Sequence, residues 1–157
     1  MSSPIPLTRA DAPACRADAG VTGFAVLCWV QGVYYLVTGV WPLVSIETFQ
    51  AVTGPKTDHL ATGREADHWL VNTVGVLVTA VAVGLLVAGW RRRPTPEVVA
   101  LGLAAAVALA GIDVVYVARG VIPPVYLADA AVEAVLIAGW VWVAATPAAG
   151  RSPPAPG

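Results

Sequence analysis

The feature that most constrains this chain is a set of four long segments with almost no charged residues. They cover residues 24–46, 69–90, 98–118 and 125–145 of the 157-residue sequence. At a rise of about 1.5 Å per residue, each segment would form a helix roughly 30 Å long, which matches the hydrocarbon core of a bilayer. We therefore predict an all-α, polytopic membrane protein with an antiparallel bundle of four transmembrane helices.

The overall composition agrees with a membrane protein. Hydrophobic residues make up 57% of the chain and charged residues 12%, and the mean hydropathy is +0.72. Buried helices of a soluble bundle are the alternative, but such helices normally carry a polar face, and these segments have almost none. A net charge of −1 argues against a nucleic-acid partner, which requires a basic surface. Two cysteines, Cys15 and Cys28, are too few for a disulfide scaffold.

The segments divide the chain into a membrane domain and two tails. We expect residues 1–23 to be a flexible cytoplasmic tail, residues 24–145 the transmembrane domain, and residues 146–157 a disordered Pro-rich tail. The first segment is too long for the apolar region of a cleaved signal peptide. The outer loop, residues 47–68, is long enough to form a lid. It should begin with a short interfacial helix, because Ser45 suits an N-cap and Gly54 followed by Pro55 is a stop signal.

The basic residues predict the orientation. Placing both termini in the cytoplasm puts six arginines inside and three basic residues outside, which agrees with the positive-inside rule. The inner residues are Arg9, Arg16, Arg91, Arg92, Arg93 and Arg151, and the outer ones are Lys56, Arg64 and Arg119. Aromatic residues near the segment ends, including Trp41, Trp69, Trp90 and Trp140, are expected to form interfacial belts. We predict a multi-pass protein of the inner (plasma) membrane of the cell, with both termini in the cytoplasm.

Small residues recur every fourth position in three segments and predict close helix packing. The rows are Ala80, Gly84 and Ala88 in the second segment, Gly102, Ala106 and Ala110 in the third, and Ala130, Ala134 and Ala138 in the fourth. The links at 91–97 and 119–124 are short. We therefore expect the second and third segments to be neighbours, and likewise the third and fourth.

Three acidic residues lie inside the last two segments: Asp113, Asp129 and Glu133. An acid near the centre of a membrane helix costs about 2.5–3.5 kcal/mol on insertion scales, so such residues are candidate functional groups. Asp129 and Glu133 are four residues apart and share a helical face with Leu136 and Trp140. In the predicted topology all three acids lie in the outer leaflet.

Each segment also carries a polar stripe, mostly in its outer half. Gln31, Tyr35 and Thr38 line the first segment, with Tyr34 beside them. Together the stripes predict an outward-facing acidic pocket that binds a small lipophilic or cationic molecule. The predicted ligand-binding residues are Asp113, Asp129, Glu133, Tyr35, Thr38, Asn72, His68 and Tyr116.

Neighbouring carboxylates repel, so the pocket needs a proton or a positive partner. That partner could be a proton, a metal ion, a cationic ligand, or Arg64, Arg119 or His68 at the rim. Two other functions remain open. The protein could be a non-catalytic subunit or homo-oligomer whose acids hold helices together, or it could handle protons or ions.

The outer loop repeats an Asp-His pair, Asp58-His59 and Asp67-His68. These residues could ligate a divalent metal, but the spacing matches no recognised metal motif, and we predict no metal site. No catalytic triad or phosphate-binding loop can be assembled, so neither a catalytic residue nor a cofactor is assigned.

Three stretches resemble small bacterial four-helix membrane proteins. They are GVYYLVTGVWP at residues 32–42, GPKTD at 54–58 and DHWLV at 67–71, and the likeness extends over residues 24–145. This resemblance implies a four-helix fold and no particular activity. In layout the chain is also similar to DoxX-like and EXPERA-type proteins, whose bundles hold acidic residues in a membrane pocket for sterols or amines. No catalytic residue is carried over from either group.

Overall fold

The computed structural model describes the backbone of residues 11–54 and 66–146. It describes the side chains of residues 19–54 and 68–146. These residues form five helices and no strands. The helices are α1 (Asp11–Val44), α2 (Ile46–Thr53), α3 (Ala66–Arg91), α4 (Pro96–Ala118) and α5 (Tyr126–Ala145). The predictions for Lys56, His59, Arg64 and the Pro-rich tail beyond residue 146 lie outside the described residues.

Four of these helices are long and apolar enough to cross a bilayer, as predicted. The candidate spans are Ala19–Val44, His68–Arg91, Pro96–Ala118 and Tyr126–Ala145. In the most apolar windows of α3 and α4, only 17% of the residues are buried within the chain. Water would disfavour so much exposed apolar surface, whereas lipid tails accept it. The fold is therefore compatible with an integral membrane protein.

Helix α1 is longer than the first predicted segment. It begins at Asp11, so residues 11–23 are helical where the sequence predicts part of a flexible tail. Four of the residues from 11 to 20 are alanines, which have the highest helix propensity. The local sequence can therefore extend the helix beyond the apolar segment.

The predicted short helix after the first span is confirmed as α2. The Ser45 side chain accepts a hydrogen bond from the Thr48 amide at 3.4 Å, and Gly54 ends the helix with a positive φ of 86°. The Trp41 indole donates to the Thr48 hydroxyl at 3.0 Å and packs edge-on against Phe49. These contacts fasten α2 to the end of α1.

Helix α1 packs most extensively on α3 and also contacts α5, while α4 packs on α5. Two glycines lie at one close approach of the α1 and α3 backbones. A Cβ atom added to Gly39 would lie 2.8 Å from the Gly75 carbonyl oxygen, and one added to Gly75 would lie 2.6 Å from the Gly39 carbonyl oxygen. The two backbones therefore touch at this point.

Two packing predictions are wrong. Helices α3 and α4 share only slight contact, despite their short link, because α3 packs along α1 instead. In the α3 row Ala80 and Gly84 are exposed, with nothing among the described residues within 4 Å of a Cβ added to Gly84, and only Ala88 packs against the core. In the α5 row Ala134 and Ala138 are also exposed. Only the α4 row lies inward, with Gly102 and Ala106 buried.

An apolar core fills the part of the molecule between the middle of α1 and the last turns of α3 and α5. It consists of Phe24, Cys28, Leu85, Trp140 and Val143, and the Phe24 and Trp140 rings pack edge to face with their centroids 6.0 Å apart. Trp140 is fully buried here and does not belong to the predicted interfacial belt. This core closes one end of the polar region described next.

Candidate functional site

The centre of the site is a pair of hydrogen bonds from consecutive tyrosines of α1 to the two acids of α5. The Tyr35 hydroxyl donates to Glu133 Oε2 at 3.1 Å, and the Tyr34 hydroxyl donates to Asp129 Oδ1. Asp129 and Glu133 are one helical turn apart and therefore project toward the same neighbour. Tyr35 and Glu133 are fully buried, whereas Tyr34 and Asp129 are partly buried.

The third predicted acid joins this pair from α4. Asp113 is 7% exposed, and the Glu133 carboxyl interacts electrostatically with both Asp113 and Asp129. We call these three residues the acidic cluster. Its members face protein, as expected from the cost of presenting a carboxyl to lipid.

The acidic cluster contains polar atoms that the described residues leave unsatisfied. Glu133 Oε1 and Asp113 Oδ2 are buried and have no hydrogen-bond partner among those residues, and neither does Asn72 Oδ1 on α3. Leaving such an atom unsatisfied costs about 1–3 kcal/mol, so a proton, a water molecule or a ligand is expected to satisfy it.

Gln31 connects the acidic cluster to the apolar core. Its Nε2 donates to the Gly102 carbonyl at 3.0 Å, and its Oε1 accepts from the Trp140 indole at 2.6 Å. Gln31 lies one turn before Tyr35 and is fully buried. An indole can only donate and a backbone carbonyl can only accept, so these bonds close the polar network on the core side.

The sequence placed Gln31 and Tyr34 on the polar stripe of the first segment but missed both as site residues. Their position beside Tyr35 on α1 was a sequence signal for a role in the site. Their hydrogen-bond partners could not be predicted, because these partners lie about 70 to 110 positions away in the chain, on other helices.

The remaining predicted site residues are more dispersed. The Thr38 hydroxyl bonds to the Tyr34 carbonyl within α1, at 2.9 Å. His68 Nε2 lies 3.1 Å from Gln50 Nε2 and joins α3 to α2. Tyr116 is 40% exposed, and the Arg119 guanidinium lies over its ring at 5.8 Å. The structure therefore brings Tyr35 to Glu133 and gives Thr38, His68 and Tyr116 other partners.

A shallow, open groove of about 590 Å³ lies along α1 next to the acidic cluster. It is lined by Trp29, Val30, Val33, Tyr34 and Val37. This groove is apolar and differs from the polar pocket that the sequence predicts. Tyr34 belongs to both features, because it lines the groove and donates to Asp129. The central part of the predicted lid, residues 55–65, lies outside the described residues.

The polar groups of the site are mainly hydrogen-bond acceptors. Within the described ranges, no group of three or more His, Cys, Asp or Glu side chains is arranged to hold a metal. Three carboxyls, two phenols and an amide can accept hydrogen bonds from a cation or exchange a proton. They include no nucleophile paired with a base.

No protein-family model, no curated protein and no solved structure matches this chain.

Proposed function

We propose that this chain is a four-span membrane protein whose acidic cluster binds a small lipophilic cation in the outer half of the bilayer. The observation that carries the proposal is that two buried carboxyl oxygens, Glu133 Oε1 and Asp113 Oδ2, have no hydrogen-bond partner among the described residues. The described residues of the four candidate spans include a single Lys or Arg, which is Arg91 at the end of α3. The positive charge that would balance a carboxylate is then a proton or a ligand.

An antiparallel bundle is supported by the order of contacts between α1 and α5. Residue numbers rise along α1 as those of the facing residues fall along α5. The facing pairs are Gly20 with Thr146, Leu27 with Gly139, and Tyr35 with Glu133. Two crossings in each direction would place both termini on one side, which we assign to the cytoplasm of a plasma membrane because of the arginines at 91–93.

The chemistry around the cluster favours a ligand with both a charge and an apolar body. A carboxyl in surroundings of low dielectric attracts a cation strongly. The Tyr34 and Tyr35 rings, 6.0 Å apart, add aromatic surface of the kind that binds cations. The groove beside Tyr34 offers apolar contact for the rest of the ligand.

The apolar core argues against passage of ions across the membrane. Phe24, Leu85 and Trp140 are fully buried beyond Gln31, and they offer no charged or ionisable group to relay an ion. A site that ends at an apolar core is more consistent with binding than with transport. Proton or ion handling therefore stays a lesser alternative, to be tested by flux measurements in proteoliposomes.

Binding of tetraphenylphosphonium, a lipophilic cation, to the purified full-length chain in lipid nanodiscs tests the proposal. We expect saturable binding that falls at least tenfold in Glu133→Gln and in Asp113→Asn, with the fold retained by circular dichroism. The matched control is Glu97→Gln, an exposed acid in the first turn of α4. Absence of saturable binding by the wild-type chain, or equal binding by all variants, would refute the proposal.

The hydrogen bonds of Tyr34 and Tyr35 to the acids of α5 favour a second candidate function. In this alternative the protein is a non-catalytic subunit or homo-oligomer, and the acids serve only to hold α1 against α5. Interhelical hydrogen bonds of this kind stabilise membrane helices by about 0.6 kcal/mol on average. In that case Asp129→Asn and Glu133→Gln would lower stability or disrupt assembly, measured by denaturation and native mass spectrometry, and no cation would bind.

A further inference from the structure

The link between α3 and α4 carries the densest positive charge in the described part of the chain. Arg91 ends α3, and Arg92 and Arg93 follow directly, with all three side chains exposed. The acid nearest to them in the sequence is Glu97, in the first turn of α4. Residues 91–97 therefore carry three guanidinium groups and a single carboxylate.

The position of this link is restricted by the helices on either side. Residues 92–95 are the whole connection between two candidate spans. A link of four residues between two membrane-spanning helices must stay at the depth of the lipid headgroups. The exposed Trp90 indole, directly before Arg91, suits the same interfacial depth.

The backbone at Arg92 gives an independent reason to look for a role of its side chain. Arg92 has a φ of 50° and is the one non-glycine residue with positive φ in the described ranges. Its amide donates to the carbonyls of Ala88 and Gly89, so it closes the end of α3. Glycine is the residue that best suits this position after a helix. An arginine at this position carries backbone strain that a glycine would avoid.

Arginine binds phosphate through paired N–H donors, and clusters of basic residues next to a membrane helix attract anionic lipids. The negative end of the α3 dipole also favours a cation at this place. That effect is the same in neutral and anionic lipid, however, so it can be separated from headgroup binding by changing the lipid.

We infer that Arg91, Arg92 and Arg93 form a binding site for the phosphate of anionic phospholipid headgroups. The site is distinct from the acidic cluster and does not depend on the function proposed for it. The ligand is a lipid of the surrounding leaflet, with a phosphodiester headgroup of net negative charge.

The test compares the full-length chain in nanodiscs of phosphatidylcholine with nanodiscs that also contain phosphatidylglycerol. We expect phosphatidylglycerol to raise the thermal unfolding midpoint of the wild-type chain and to remain bound in native mass spectrometry. Replacement of Arg91, Arg92 and Arg93 by Gln should abolish both effects. Arg119→Gln, in the exposed link between α4 and α5, is the matched control and should preserve them.

Arg92→Gly separates the side chain from the backbone. Because glycine adopts a positive φ without strain, this variant should have a higher unfolding midpoint than the wild-type chain in phosphatidylcholine. Because the guanidinium is lost, phosphatidylglycerol should raise its unfolding midpoint less than it raises that of the wild-type chain. The inference would be overturned if phosphatidylglycerol raised the unfolding midpoint of the triple Gln variant as much as that of the wild-type chain. So would an equal gain when inorganic phosphate is added to phosphatidylcholine nanodiscs, because the site would then bind free phosphate and not a lipid.

Discussion

The Tyr35 hydroxyl donates to Glu133 Oε2 at 3.1 Å, and both residues are fully buried although they lie 98 positions apart in the chain. This bond joins α1 to α5 at the level of the acidic cluster. It also leaves Glu133 Oε1 without a partner among the described residues. Tyr35 therefore positions the carboxyl, while one carboxyl oxygen stays available for a proton or ligand.

Tyr35→Phe should weaken the α1–α5 contact. Loss of the hydroxyl leaves a second buried oxygen of Glu133 unsatisfied, which is expected to lower the free energy of unfolding by about 0.6–1.7 kcal/mol. Denaturation with sodium dodecyl sulfate in mixed micelles measures this change. Tyr116→Phe removes a hydroxyl from an exposed residue and should have little effect. Equal stability of the two variants would contradict the role assigned to Tyr35.

Gly39→Ala should destabilise the chain more than the same change at an open position. A Cβ on Gly39 would lie 2.7 Å from Thr79 Oγ1 and 2.8 Å from the Gly75 carbonyl oxygen, so the α1 and α3 backbones must separate. Overpacking of this kind costs about 1–3 kcal/mol. Gly84→Ala meets nothing within 4 Å and should be neutral or stabilising, since alanine favours helix. If both variants lose the same stability in the denaturation assay, the close contact does not exist.

Gln31 and Trp140 should be energetically coupled. The Trp140 indole donates to Gln31 Oε1 at 2.6 Å inside the apolar core. Gln31→Leu, Trp140→Phe and the double variant form a cycle in which we expect a coupling of about 1 kcal/mol. Strictly additive losses of unfolding free energy would show that the two side chains do not interact.

Filling the α1 groove should reduce cation binding without harming the fold. Val33 lines the groove and is 48% exposed, so Val33→Trp adds volume where lipid or ligand would lie. We expect the dissociation constant for tetraphenylphosphonium to rise at least fivefold at an unchanged unfolding midpoint. Val135→Trp, on an exposed face of α5, is the control. Unchanged affinity in Val33→Trp would mean that the ligand reaches the cluster by another path.

Cysteine labelling can test the orientation. In a background with Cys15→Ser and Cys28→Ala, a cysteine replacing Val121 in the α4–α5 link should react with an impermeant reagent added outside intact cells. A cysteine replacing Arg93 should react only after the cells are opened. Both sites are exposed and lie at opposite ends of α4. The reverse pattern would place the termini outside.

Several features could be predicted from the sequence because they depend on local properties. The four apolar segments follow from length and hydropathy, and α2 follows from Ser45 and Gly54 at its ends. The shared face of Asp129 and Glu133 follows from helical spacing. The large energetic cost of a carboxyl in lipid also predicts that these acids face protein.

Other features depended on the tertiary structure. Small residues occur on several faces of these Ala- and Gly-rich helices, so spacing could not decide that Gly75, and not Gly84, would meet α1. The bonds of Tyr34 and Tyr35 to α5, and that of Gln31 to Trp140, likewise required the facing helix. The sequence alone determined which segments are apolar helices and which positions carry charge, because both are properties of a single segment. Only the packed structure decided which helix faces meet, because close contact requires complementary shapes and hydrogen-bonding groups on two helices at once.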